Sequence, residues 1–485
     1  MSYVTRQQKD WIQMLYGGHE NHDDFQTMLE TFGTLVEKTV LPAEQKTEFE
    51  RAKNPFKDFR ERFREKEWQI KKGIDTIVAK SGQTGTVSDE VCQWIMGPVD
   101  EVGREIKNEQ NIPDEVYRQI TDFGLPGMCF SDELDGMGFP YPLFIAFLEI
   151  LGKASPSVGV RYAISNTCAE GLRFNHRNGN LSEYGQTILK SLIAGEKLAA
   201  FGLTEASASG SNIMQEMTTR ALWLEDEAHY VITGNKMYIT NAGTADVYAV
   251  FARTSQAGRG EEAEGQGISL FLVERGMEGF RIGQLFEKRI VENSSLGELV
   301  FNEVRVPVEN LVGKAGEGAK YAMRMLNSGR VTIAALAVGL AQRAFDEYMD
   351  TAVEGKKSAD RHLVEYDRTK ARIADMSVEI NAARDLTYRA AWLKERYDAG
   401  PDDKDRLREY VIASNGAKLK ASIVAMKACD YLVKIGGASS VVKETFSLKH
   451  YLDSFLYYFG EAVPEVLENV VSHMEVKKYL ARKGL

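Results

Sequence analysis

HYVITGNKMYITNAGTADVYAVFART, residues 229–254, alternates apolar and polar side chains with a period of two and is rich in β-branched and aromatic residues. That is the pattern of half-buried strands, not of helix. Thr233-Gly234-Asn235 reads as a tight turn, so residues 229–240 are expected to form two short strands. GISLFLVER (267–275) and GELVFNEVRVP (297–307) continue the β-rich pattern, and TSQAGRGEEAEGQG (254–267) between them reads as a polar loop. On both sides the period lengthens to that of helix. VYRQITDFGL (116–125) and PLFIAFLEILGKA (142–154) precede the strands, and RVTIAALAVGLAQRAFDEYMDTAV (330–353) and RTKARIADMSVEINAARDLTYRAAWLKERY (368–397) follow them. The implied chain is a multidomain α and β protein. It comprises an N-terminal extension or insertion, partly helical, over 1–87, a helical domain over 88–199, a β unit over 200–313 and a helical bundle over 314–485.

The 485 residues carry a formal net charge of −10, with 44% hydrophobic and 27% charged residues, ordinary for a globular protein. A net negative surface argues against general nucleic-acid binding, so an anionic ligand must be met by a local cluster of donors. The four cysteines, Cys92, Cys129, Cys168 and Cys429, form no CxxC pair, which argues against a structural zinc site or a disulfide framework. The start, MSYVTRQQKDWIQ, lacks the apolar core of a signal peptide. The run VTIAALAVGLA (331–341) is about half a membrane span and reads as a buried helix. A cytoplasmic protein without a transmembrane segment is the expectation.

Five motifs in order carry a family resemblance. They are DELDGMGFP (132–140), FGLTEASASGSN (201–212), GNKMYITNAGTADVYAVFART (234–254), SLGELVFNEVRVPVENLVGKAGEG (295–318) and MLNSGRVTIAALAVGLAQRA (325–344). Over about residues 88–476 the chain resembles the acyl-CoA dehydrogenases. The resemblance implies an α-helical N-domain, a central β-barrel and a C-terminal four-helix bundle. It also implies FAD as cofactor, an acyl-CoA thioester as substrate, an electron-transfer flavoprotein as electron acceptor and a homotetramer; the alternatives are a non-catalytic or hetero-oligomeric partner subunit and an acyl-CoA oxidase of the same fold.

Removing a proton next to a thioester carbonyl requires a base facing the α carbon, donors facing the developing enolate oxygen and a hydride acceptor facing the β carbon. The run DSFLYYFGEAVPEVLENV (453–470) matches the family segment that carries the base, and the resemblance places it at Glu461. The aromatic residues before it would raise its proton affinity by burial. The plain alternative is a helix-start acid that favours the helix dipole. Some relatives carry the base just before the Arg of the helix after the barrel; that position is Gly329, which cannot act. Carried over in the same way, Arg330, Asn327 and Ser211 are substrate contacts, Arg330 on the CoA portion and Ser211 on the pantetheine chain. Leu203, Thr204, Tyr238 and Thr240 would lie against the flavin ring. The plain alternatives are an ion-paired helix-start Arg at 330 and an ordinary barrel strand at MYIT.

The resemblance breaks at the flavin pyrophosphate. Where the family has RxxFG and a following Gln, this chain has Lys356, Ala359, Asp360 and Asp367. The usual GGNG loop is replaced by IGGASSVVKETF (435–446), in which Gly436 and Gly437 survive. Three readings fit: FAD held differently with Lys356, Lys357 and Arg361 as compensation, which is the expectation, FAD bound only in a mixed oligomer, or a chain that has lost the cofactor. The N-terminal run RAKNPFKDFRERFREKEWQIKK (51–72) has nine basic and four acidic residues and reads as a solvated helix, with a partner-binding or membrane-surface helix as the alternative. GHENHDD (18–24) has too few ligands for a metal site, and none is expected.

Overall fold

The computed structural model describes residues 4–16, 22–46, 114–207, 212–254, 267–355, 357–358, 360–401, 403–442 and 445–483. The basic run 51–72, Cys92, Ser211, Lys356 and Ala359 lie outside the described residues, as do most of GHENHDD and the 254–267 loop.

The helices before the sheet are α1 (Arg6–Tyr16), α2 (His22–Leu35), α3 (Asp114–Asp122), α4 (Tyr141–Ala154), α5 (Pro156–Arg177) and α6 (Glu183–Ile193). After it come α7 (Gly318–Asp350), α8 (Asp367–Asp398), α9 (Lys404–Gly436), α10 (Ser447–Phe459) and α11 (Pro464–Lys483). Proline in the first turn opens both α4 and α5, where its missing N–H and fixed φ cost nothing. Ser155 ends α4 and caps α5, its Oγ accepting from Val158 N at 3.2 Å. α4 and α7 cross through glycines, because a Cβ on Gly152 would overlap the Leu336 carbonyl and one on Gly339 the Glu149 carbonyl. The run 331–341 is buried throughout within α7, as expected of an internal helix. Among the described residues no helix is long and apolar enough to cross a membrane.

Helices before and after residue 88 share one core. Phe25, Leu29, Phe32, Val36 and Val40 share one buried core with Phe144, Phe147 and the helices of the C-terminal bundle. Val4 and residues of 22–46 therefore contribute to the main core.

The central unit is an eight-stranded sheet. Its strands are β1 (Ala199–Gly202), β2 (Arg220–Leu224), β3 (His229–Thr240), β4 (Val247–Arg253), β5 (Ile268–Glu274), β6 (Phe280–Leu285), β7 (Leu296–Pro307) and β8 (Leu311–Val312). The hydrogen-bonded path runs β6-β7-β3-β2-β4-β5-β8, with β1 parallel to β4. One face holds Ile232, Tyr248, Phe271, Leu299 and Phe301, and the other packs against Cys168, Leu172 and Tyr321 of the helices. β4 is consequently buried at every residue, since both of its faces are covered.

One expectation at strand level fails. Residues 229–240 are a single strand pairing with β7 from His229↔Pro307 to Thr240↔Leu296, with irregularities at Ile232/Gly234 and Lys236/Ile239. Gly234 (φ +144) serves a bulge, not a hairpin turn, and a Cβ there would press on Thr219. The long partner strand decides this: unbroken pairing with β7 outweighs a local turn signal.

Candidate active site

The segment joining α10 to α11 is Gly460-Glu461-Ala462-Val463. Gly460 N closes α10 on the Leu456 carbonyl at 2.8 Å, and Pro464 opens α11. Between them Glu461 (φ +58) and Ala462 (φ +101) occupy the left-handed region. Non-glycine residues stay there only when their surroundings hold them, at a cost of roughly 1–3 kcal/mol each.

That conformation turns the Glu461 carboxyl inward onto α7. It lies so close to Gly329 that a Cβ at 329 would come within 2.5 Å of Oε1 and 2.9 Å of Oε2. The two base positions that the resemblance distinguishes therefore converge on one point in space, and here the glycine leaves room for the carboxyl. Oε2 is buried without a hydrogen-bond partner among the described residues. Burial raises the carboxyl to a pKa of about 7, against the opposing pull of Arg330 and Lys418. The carboxylate also faces Cys168 of α5, whose thiol is pushed up mainly by burial and further by Glu461.

Arg330 and Asn327 were expected on the substrate, yet both are turned inward. Arg330 is 3% exposed; its Nε donates to the Glu461 carbonyl at 3.2 Å and its Nη1 to Asn327 Oδ1 at 2.9 Å. Asn415 Nδ2 donates to the same Asn327 oxygen at 3.4 Å. Of these Arg330 bonds, one holds the turn that carries Glu461 and the other stays on α7. Sequence reading missed Lys418 altogether. It is fully buried on α9, and its Nζ donates to the carbonyls of Tyr458, at 3.1 Å, and Ala462. Its signal in the sequence is a lysine on the small-residue stripe Ser414, Ala417, Ala421, Ala425, all buried at helical spacing.

The residues assigned to the flavin ring come together where the 203–204 segment meets β3. Met237 N donates to the Thr204 carbonyl at 2.9 Å, and Lys236 Nζ to the Leu203 carbonyl at 3.3 Å, tying the 203–204 segment to β3. Lys236 is wholly buried against Glu205, Nζ to Oε1 2.8 Å. Burial lowers Lys236 to about 8 although Glu205 pulls the other way. Against its own burial, Glu205 is held down at about 2 by Lys236 and by hydrogen bonds from Thr218 and Thr219. At the second irregularity Tyr238 (φ +58) stands 60% exposed beside Phe286, ring centroids 5.4 Å apart. An exposed aromatic face flanked by Thr204 and Thr240 fits a planar aromatic ring. Leu203 shares a buried cluster with Cys168, so this platform and Glu461 border the same helix, α5.

The pyrophosphate side is less complete. The hairpin of β9 (Lys357–Ser358) and β10 (Arg361–His362) keeps Arg361 on Glu365, 3.3 Å, and over the Tyr366 ring. Asp367 pairs with Lys370 at 3.5 Å. Gly437 (φ +60) ends α9 in a conformation that favours glycine, and a Cβ on Gly436 would overlap Ser440 Oγ. A cavity of about 340 Å³ opens between α3 and α5, lined by Tyr117, Arg161, Tyr162 and Asn166; another, of about 130 Å³, lies beside Asn327, Ser328 and Tyr410. Among the described residues no cluster of three or more His, Cys, Asp or Glu could hold a metal ion.

Residues 84–202, 200–304 and 316–474 match the N-terminal, middle and C-terminal domains of acyl-CoA dehydrogenase. The short-chain specific acyl-CoA dehydrogenase of Clostridium acetobutylicum is 34% identical over 386 residues, covering 80% of this chain and 96% of that protein. The butyryl-CoA dehydrogenase structure from Megasphaera elsdenii superposes with a TM-score of 0.68 at 29% identity, over 75% of this chain and 90% of that one. A chain in the structure of the electron transferring flavoprotein of Acidaminococcus fermentans gives 0.67 at 31% identity, over 74% and 89%. With three successive domains matched and a 34% identical relative across four fifths of its length, this chain belongs to the acyl-CoA dehydrogenase family.

Proposed function

We propose that the chain is an FAD-dependent acyl-CoA dehydrogenase in which Glu461 removes the α proton of an acyl-CoA thioester. The observation that carries this reading is the Glu461 carboxyl: enclosed, unpartnered at Oε2 and poised at about 7. A base with a proton affinity near the working pH both exists as carboxylate and accepts the proton effectively. Arg330 fixes the Glu461 carbonyl, which leaves the carboxyl free to meet the substrate, and the Glu461 backbone N–H is the donor proposed for the thioester oxygen. Leu203, Thr204, Tyr238 and Thr240 would hold the isoalloxazine, and Gly436 and Gly437 would approach its diphosphate arm. Bound there, FAD supplies the acceptor for the β hydrogen. In the cell we place it as a cytoplasmic homotetramer that passes its electrons to an electron-transfer flavoprotein. Butyryl-CoA is the first thioester to assay, because the relatives above include short-chain and butyryl-CoA enzymes.

The deciding experiment is Glu461→Gln in the flavin-loaded protein. The flavin spectrum should persist while butyryl-CoA no longer bleaches it and α-proton exchange into D2O stops. Full exchange in that variant would remove Glu461 from the role.

A further inference from the structure

Two buried cations from different helices hold the turn that carries Glu461. Lys418, from α9, spans it, donating to the carbonyls of Tyr458 (3.1 Å) and Ala462. Arg330, from α7, takes the carbonyl of Glu461, which lies between those two (3.2 Å). The carboxyl itself receives neither bond, and its Oε2 has no partner among the described residues. The cations are spent on the backbone and not on the side chain. A direct ion pair would hold the carboxylate ionised and oriented away from a substrate, whereas carbonyl contacts fix its aim and leave it reactive.

We propose that Lys418 is a positioning residue for the base, clamping both ends of the left-handed turn so that the Glu461 carboxyl stays over Gly329 while a nearby positive charge favours its ionised form. This rests on Glu461 being the base. An ammonium suits the task because it offers several donors from one atom, enough for two carbonyls that no helix ladder satisfies. Its surroundings match that role. Burial lowers Lys418 to about 7, helped by Arg330, while Glu461 and Glu465 face it and favour the charged form. Glu461 in turn is faced by Arg330, Lys418 and Cys168.

The test compares Lys418→Met, Lys418→Gln and Glu461→Gln in the flavin-loaded protein, reading kcat, KM for butyryl-CoA, the pH profile of kcat and α-proton exchange. For Lys418→Met we expect kcat to fall on the order of 10²-fold, the usual effect of a base misplaced by about 1 Å. KM should change by less than about threefold, because no substrate-binding group is lost. The pH at half-maximal kcat should rise by about one unit, since a cation no longer favours the carboxylate. Lys418→Gln, which can still donate to the turn but carries no charge, should show the same pH displacement with a smaller loss of kcat. If Lys418→Met does not fold, Lys418→Gln carries the test. Wild-type kcat and an unmoved pH profile in the Lys418 variants, with Glu461→Gln inactive, would overturn the clamp and leave the base in place. Full exchange in Glu461→Gln would instead remove the base reading, a failure visible in that variant alone.

Discussion

A carboxyl buried with an oxygen that no described donor reaches gives up its proton only at an unusually high pH, and Glu461, through its Oε2, is in that position. The sign follows directly. Only the ionised form can accept the α proton, so kcat/KM for butyryl-CoA should climb as pH rises through about 7 and then level, as a pH-rate profile would record. Because the folded protein binds this proton more tightly than the unfolded chain, the same group favours folding at low pH, and that contribution is lost as pH rises from the ordinary carboxylate range to about 7. Gly329 supplies a second check at this scale. Alanine is a better helix former than glycine by about 1 kcal/mol, yet at 329 its Cβ would come within 2.5 Å of Glu461 Oε1. Gly329→Ala should therefore lower kcat by roughly 10- to 100-fold through displacement of the carboxyl. In a Glu461→Gly background the same change should stabilise the fold, and a double-mutant cycle by urea denaturation would read the difference.

Among the elements, β3 shows how an irregular strand becomes a platform. Its two irregularities keep Ile232 and Ile239 inside, bring Lys236 onto Glu205 and leave Tyr238 facing outward. Both charges of the Lys236–Glu205 pair are buried, so removing one partner strands the other. Lys236→Met should cost about 3–5 kcal/mol in urea denaturation, and it should also weaken flavin retention by loosening the Leu203–Thr204 segment. Acid should act on the same pair. Glu205 at about 2, and Glu347 at about 2 beside His450 and Arg343, both lie below their ordinary values. The stability they contribute is complete above the ordinary carboxylate range and is lost as pH falls towards 2. The urea midpoint should drop steeply over that window, and Glu205→Gln should flatten the slope.

At the scale of the molecule, helices from both ends of the chain share one core. Arg384 of α8 shows the joint: its Nε reaches Glu149 of α4 at 2.8 Å, Nη1 reaches Gln7 of α1 at 2.8 Å and Nη2 reaches Gln342 of α7 at 2.7 Å. Trp11 of α1 adds a bond to Asp385 at 2.8 Å and stacks on Tyr388. Arg384→Met should destabilise the helical part by about 3–5 kcal/mol, because Glu149 would remain buried without its cation. Unfolding followed by tryptophan fluorescence and by far-UV circular dichroism should still coincide, as one cooperative core requires. Separate transitions would show that α1 and α2 melt independently of the bundle.

The sequence by itself determined the order helix, sheet, helix, the motif whose family resemblance singles out Glu461, and the absence of a competing carboxylate at Gly329. Each of these is written in local spacing or in a contiguous motif. Only the tertiary structure decided that β3 runs unbroken, because its continuity lies in the β7 partner and not in Thr233-Gly234-Asn235. It alone decided that Phe25, Phe32 and Val40 pack with Phe144 and Phe147, and that Arg330 grips the Glu461 carbonyl. Lys418 is the clearest case. A lysine on a helix reads as solvated until three helices close around it, since burial and hydrogen-bond partners are properties of packing between segments that no single stretch encodes.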